Sequence, residues 1–196
     1  MTTLLLVRHG STEWNASGRL QGATDIALSA QGEREVRSLR PLVEAWSPSA
    51  AVCSPLQRAA ATAQLLTGEA VTADPRLVEV GLGAWEGRTA AEIGDDVRSW
   101  RRGELVPPRG EAADAASARI LAALRDAAAL GGTVLVVTHG GVVRAALGGL
   151  VGLATRHIAP VPPASLTVID LAGDEPRLRA LGITPQQQAP ASHLQA

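Results

Sequence analysis

Two apolar runs in this chain stop at the same dipeptide. Leu4-Leu5-Leu6-Val7 ends in Arg8-His9-Gly10, and Val134-Leu135-Val136-Val137 ends in Thr138-His139-Gly140. Short runs of Leu and Val bounded by glycine read as buried strands that stop at a tight turn. In an open α/β sheet, ligands sit just beyond the carboxyl ends of the strands, so both imidazoles face one crevice. The chain has only four histidines in 196 residues, and two of them hold this position. That placement points to catalysis.

The rest of the chain alternates in the same way. Ser29 is placed to cap a helix running to about Trp46, with Val36, Leu39, Leu42 and Val43 on one face. Ala50 to Cys53 reads as a strand. Ser54 and Pro55 then read as the N-cap and first position of a helix that carries Arg58 in its first turn and fades near Gly68. Val71-Thr72 is a short third strand, 112–130 a long helix, 133–138 a central strand and 141–151 a further helix. Residues 166–170 and 177–181 pair at one edge. The pattern predicts an α/β fold, a three-layer α/β/α sandwich with a mostly parallel central sheet. The Gly-, Pro-, Trp- and Arg-rich stretch 74–110 is expected to form a small cap excursion over the crevice, with short helices at 89–93 and 95–101. Residues 1–184 are expected to be a single domain, and 185–196 a flexible tail.

Composition limits the partners. A chain that is 46% hydrophobic with a net charge of −1 suits a soluble globular protein and argues against a nucleic-acid partner. Its one cysteine, Cys53, has no internal partner for a disulfide, and the run at 4–7 is too short for a membrane span or a signal-peptide core. A cytoplasmic location without membrane association is expected. An exposed sheet edge leaves room for a homodimer.

The charged groups then suggest a ligand. Arg8 lies beside His9, Arg58 lies in the first turn of a helix, and His139 and Gly140 lie just before another. Helix N-termini present free N–H groups and the positive end of the dipole, and guanidinium forks match phosphate. Two nearby arginines repel a metal ion, so neither a metal nor another cofactor is expected. A neutral imidazole attacks phosphorus when its second nitrogen is held in one tautomer. Arg8, Arg58 and a protonated His139 would stabilise the transition-state charge. The leaving group needs a proton, and Glu79 and Glu86 are both candidate donors; spacing does not choose between them.

These residues carry a resemblance. The segments Leu-Val-Arg-His-Gly-Ser-Thr-Glu-Trp-Asn (6–15), Gly-Arg-Leu-Gln-Gly (18–22), Ser-Pro-Leu-Gln-Arg-Ala (54–59), Glu-Val-Gly-Leu-Gly-Ala-Trp-Glu-Gly (79–87) and Val-Thr-His-Gly-Gly-Val-Val-Arg (137–144) resemble, in order, the motifs of the histidine phosphatase superfamily, the phosphoglycerate mutase-like or RHG family. The resemblance implies that His9 becomes phosphohistidine and that Arg8, Arg58 and His139 hold the phosphoryl group. It implies Glu79 as the proton donor, with Glu86 structural, and it matches Asn15 and Gln21 to phosphate-contacting positions.

Within that family the short interval from Glu79 to His139 resembles the phosphatases rather than the longer glycolytic mutases. The expected activity is metal-independent hydrolysis of small-molecule phosphomonoesters. A cofactor-dependent phosphoglycerate mutase and a silent phosphate-binding module are the alternatives. A metal-dependent hydrolase built on His9, His139 and Glu79 is a third, which a chelator would expose. Motifs do not separate broad-range, alpha-ribazole, phosphoglycerate and sugar-phosphate phosphatases. Arg101, Arg102 and Arg109 are candidates for holding an acidic substrate group, although a solvated face is the simpler reading of Arg101 and Arg102. Trp14, Trp85 and Trp100 read as packing residues. Cys53 to Arg58 is one residue shorter than a cysteine-phosphatase loop and lacks its glycines, so Cys53 reads as a small buried hydrophobe. His157 and His193 have no partner motif.

Overall fold

A computed structural model describes residues 2–171 and 175–185. The tail expected from 185 onward lies, apart from Pro185, outside the described residues, as does His193. Six strands, β1 (Thr2–Arg8), β2 (Ala50–Cys53), β3 (Thr72–Ala73), β4 (Gly132–Thr138), β5 (Ser165–Asp170) and β6 (Arg177–Ile183), form one sheet in the order β3-β2-β4-β1-β5-β6. The β3-β2-β4-β1 half is parallel, and β5 is antiparallel to both β1 and β6. The sheet is therefore mixed, with the expected parallel centre and an antiparallel edge pair.

Among the described residues, seven α-helices complete the fold: α1 (Glu13–Ala16), α2 (Ala30–Glu44), α3 (Gln57–Thr67), α4 (Ala90–Ile93), α5 (Asp96–Arg101), α6 (Ala113–Ala129) and α7 (Gly140–Val151). Alternation along the central strands sorts the core into two layers. Leu4, Leu6, Val134 and Val136 pack with Ile120 and Leu124 of α6 and with Val142, Val143 and Leu147 of α7. Leu5, Val7, Leu135 and Val137 face the other way, onto Val36, Leu39 and Val43 of α2 and Ala59, Ala63 and Leu66 of α3. Because both faces are covered, the strands read as unbroken apolar runs rather than alternating ones.

Three local features depart from the sequence expectations. The four-residue α1 falls in what read as a loop; Thr12 and Asn15 cap it reciprocally, a box closed by Asn rather than the usual Glu or Gln. The strand expected at Val71-Thr72 lies one residue later, at Thr72–Ala73. Third, α3 begins at Gln57 rather than at Pro55, and Ser54 is not its cap. Leu56 is extended, and the Gln57 amide donates instead to Asp25 Oδ1 at 2.8 Å, so a carboxylate 32 residues away supplies the cap. Ser54 is thereby free for another contact.

The register of the sheet positions the candidate site. Leu4 pairs with Val134 and Arg8 with Thr138, so His9 and His139 leave adjacent parallel strands at the same level. Cys53 pairs with Val137 on the other side of β4, which places Ser54 beside His139. Gly10 is needed at this turn, since a Cβ there would lie 2.5 Å from the Gly32 carbonyl and 2.8 Å from Val36 Cγ2.

Leu135 is fully buried in β4, whereas Leu130, just past α6, is 56% exposed. Leu135→Ala is expected to cost about 2–5 kcal/mol of stability, and Leu130→Ala under about 0.5 kcal/mol. Urea unfolding checks both, and equal shifts would contradict this placement of the core.

Candidate active site

The ends of β1, β2 and β4 bring four buried polar side chains together: His9, Ser54, His139 and, from the first turn of α3, Arg58. The imidazole centroids of His9 and His139 are 5.2 Å apart, edge to face. His9 Nδ1 lies 2.7 Å from the Gly10 carbonyl oxygen, which accepts only, so Nδ1 carries the proton. Nε2 is then a lone-pair acceptor, and Arg58 Nε donates to it at 3.3 Å. Burial, together with the charges of Arg8 and Arg58, holds His9 well below the usual imidazole pKa.

His139 Nε2 lies 2.8 Å from Ser54 Oγ, and that oxygen already accepts from the Leu56 amide at 3.3 Å. Ser54 Oγ keeps a second lone pair as well as its proton, so this contact accommodates either tautomer of His139. His139 Nδ1 is buried without a partner. Burial first, then His9, Arg58 and Arg8, holds His139 well below its usual pKa, so it is neutral in the ligand-free site. The protonated form expected from sequence needs an anion beside it.

Arg58 has no exposed surface. It donates to the carbonyls of Thr24 (2.7 Å) and Gly22 (2.8 Å), and burial lowers its pKa despite Glu79 and Asp25. Arg8 donates to the Val161 carbonyl, lies against Gly140, and keeps a buried Nε without a partner. Among the described residues no carboxylate oxygen lies within 4 Å of either guanidinium.

Glu79 reaches the N-terminus of α7, accepting from the Gly141 amide at 3.0 Å and from the Val80 amide at 2.8 Å. A Cβ at Gly141 would collide with this carboxylate. Glu86 takes a different place. It accepts from Thr24 Oγ1 and from the amides of Ala23 (3.0 Å) and Leu82 (2.9 Å), tying down the loop that holds Arg58. Burial favours its neutral form, but those hydrogen bonds win and hold its pKa below the usual range.

Arg8, His9, Asn15, Gln21, Arg58, Glu79 and Gly140 all line one cleft of about 530 Å³. Asn15 spends its amide oxygen on the Thr12 cap, which leaves its NH2 group as the donor for a ligand. The amide oxygen of Gln21 is buried without a partner. Of the three arginines singled out in 74–110, Arg101 lines the cleft, as does Trp100, whereas Arg102 is exposed and paired with Glu104 at 2.7 Å. Arg109 is exposed, at a left-handed φ of 61°, and does not line the cleft. Trp85 is buried against Trp100. Cys53 is a buried thiol. Among the described residues no cluster of three His, Cys, Asp or Glu side chains is placed to hold a metal ion, and no helix is long and apolar enough to cross a membrane.

Two residues here were not found from sequence. Ser54 read as a helix cap. Arg119 of α6 carried no motif, yet it forks onto Glu111 (2.6 and 2.7 Å) and donates to the carbonyls of Arg76, Val78 and Glu79. It fixes the segment that carries Glu79. Only the apolar periodicity of α6, which puts 119 beside its buried face, hinted at an inward cation.

The model of the histidine phosphatase superfamily (branch 1) matches residues 4–184, and the chain belongs to that family. It is 36% identical to a probable phosphoglycerate mutase, GpmB, of Enterobacter sp. (strain 638), over 71% of this chain and 70% of that one. A phosphoserine phosphatase mutant from Entamoeba histolytica, in complex with phosphoserine, superimposes with a TM-score of 0.83 at 28% identity, covering 93% and 97% of the two chains. A mycobacterial glucosyl-3-phosphoglycerate phosphatase in complex with VO3 gives 0.82 at 30% identity, over 93% and 99%.

Because His9 and His139 are both pushed below 6.5, the folded state binds fewer protons than the unfolded one. Their contribution to stability is present above about pH 6.5 and is lost as pH falls toward their folded-state values. Thermal midpoints are expected to fall between pH 7.5 and 5, and less steeply in His139→Gln. A parallel fall in wild type and variant would remove His139 from the account.

Proposed function

We propose that the chain is a phosphatase of small-molecule phosphomonoesters that works through a phosphohistidine on His9. The observation that carries this reading is the His9 tautomer: Nδ1 is fixed by the Gly10 carbonyl, and Nε2 keeps its lone pair beside Arg58. In the first step Nε2 attacks phosphorus and the ester P–O bond breaks. Glu79, as the carboxylic acid, gives its proton to the departing oxygen. In the second step water attacks phosphorus, Glu79 as carboxylate takes the water proton, and the P–N bond pair returns to Nε2.

Arg58 passes its Nε donor from His9 to the phosphoryl oxygens, Arg8 contributes its unpartnered Nε, and His139 contributes Nδ1–H. The helix N-terminus at Gly140 and the amides of Asn15 and Gln21 complete the cradle. A dianion between the rings raises the pKa of both imidazoles, so His139 gains a proton when substrate binds. In this reading residues 1–184 act as one domain, Glu86 is structural, and no metal or other cofactor takes part. We place the protein in the cytoplasm.

The names of the curated relatives support a second reading, in which the phosphoryl group on His9 passes to a second hydroxyl as in a phosphoglycerate mutase. Inorganic phosphate release separates the two. With a chelator present, wild type is expected to release phosphate from phenyl phosphate and from alkyl phosphates, and His9→Ala to lose roughly 10⁴-fold or more. Glu79→Gln is expected to lose about 10²–10⁴-fold on alkyl esters and under about tenfold on phenyl phosphate, whose leaving group needs little help. Isomerisation of phosphoglycerate without phosphate release would favour the mutase. Activity abolished by the chelator would favour a metal enzyme, and no turnover of any kind a silent module.

A further inference from the structure

The cleft holds more positive charge than a phosphoryl group needs. Beyond Arg8 and Arg58 it is lined by Arg19, which pairs with Glu92, and by Arg101, Arg144 and Arg156, and among the described residues none of these last three forms an ion pair within 4 Å. Arg144 is the most constrained. It lies on α7 four residues after Gly140 and three after Gly141, the residues that meet Arg8 and Glu79. Positions three and four apart share a helix face, and side chains lean toward the helix N-terminus, so its guanidinium is carried back toward the phosphoryl site.

One nitrogen is already fixed. Arg144 Nη2 donates to the Thr155 carbonyl at 2.9 Å, while its Nε is buried without a partner. Burial lowers its pKa, with Glu79 opposing that shift and Arg101 adding to it. Arg119, on the neighbouring helix, is half-buried too but has Glu111 across its fork. Arg144 is also partly buried but has no carboxylate across its fork.

We propose that Arg144 receives a carboxylate of the substrate, so that the preferred phosphomonoesters carry a carboxylate a few bonds from phosphorus. The edge formed by Nε–H and the second Nη2–H is a two-donor fork that matches one carboxylate. Four residues of helix rise about 6 Å, the order of the separation between phosphorus and carboxylate in a short phosphorylated acid. Arg101, which lines the same cleft from α5, adds long-range attraction.

This inference rests on the phosphatase reading above, and the test separates the two. Phosphate release is measured on 3-phosphoglycerate, on glycerol 3-phosphate, which lacks the carboxylate, and on phenyl phosphate. Wild type is expected to prefer the acid over glycerol 3-phosphate by tenfold or more in kcat/KM. Arg144→Gln is expected to reduce that preference at least tenfold, mainly through KM, and Arg144→Lys, which keeps the charge but not the fork, to fall between. Equal losses on both esters would make Arg144 only a tie to Thr155 and overturn the proposal, as would a wild type with no preference for the acid. Failure of wild type on phenyl phosphate as well would overturn the phosphatase reading and this inference with it.

Discussion

The guanidinium of Arg58 is fully buried, and among the described residues nothing negatively charged touches it. A buried charge is ordinarily paired, because desolvation costs several kcal/mol per ion. Here two backbone carbonyls and a neutral imidazole stand in for the missing anion. Much of the surrounding structure serves to keep that arrangement in place. Glu86 holds the loop that supplies the carbonyls, Asp25 caps the helix that carries the arginine, and Gly10 lets the turn after β1 approach α2 closely enough to set His9. The two imidazoles stay neutral because burial, reinforced by the arginine charges around them, disfavours the protonated form. The site is built for a ligand that brings the negative charge with it.

That shortage of negative charge ties the electrostatics to the tautomers. A neutral histidine has one donor and one acceptor, and which nitrogen is which depends on the partner at the other end. The Gly10 carbonyl accepts from His9 Nδ1–H and leaves Nε2 basic, whereas the Ser54 hydroxyl, with a proton to give and a spare lone pair, accommodates either tautomer of His139. His9 is thereby set as a nucleophile, with the ring of His139 5.2 Å away. In the proposed reaction a reversal of the His9 tautomer would be costly, since it would present a proton where the attack begins.

What could be read from the sequence follows from how far each interaction reaches along the chain. The strands and their order of burial were legible because each is a contiguous apolar run, and the two histidines because they end such runs. Glu86 was separated from Glu79 by resemblance alone; the geometry now gives the physical reason, since Glu86 is consumed by the 22–24 loop while Glu79 faces the cleft. Ser54 was misread for a specific cause. Ser-Pro before an apolar stretch satisfies the local rule for a helix start, but the competing partners, Asp25 for the helix and His139 for the serine, lie 32 and 85 residues away. Arg119 has the same character, holding carbonyls about 40 residues distant. Partners at that separation leave no periodic trace in a single sequence.

The division of labour between sheet and cap bears on selectivity. Apart from Glu79, which stands in the excursion after β3, every group that contacts the phosphoryl position in the proposed reaction comes from a strand end, from the turns and short helix that follow β1, or from the first turn of α3 or α7, and these are anchored to a close-packed core. The groups farther out, Trp100, Arg101 and Val106, come from the excursion between β3 and α6, which adds few buried side chains to either core layer. Changes there alter what fits beside the phosphate while leaving the phosphoryl cradle untouched. Arg144 is the exception, since it belongs to α7 and shares a face with the residues that hold Arg8 and Glu79. A specificity contact on that rigid helix fixes its distance from phosphorus, and so favours one spacing between phosphate and acid rather than a range.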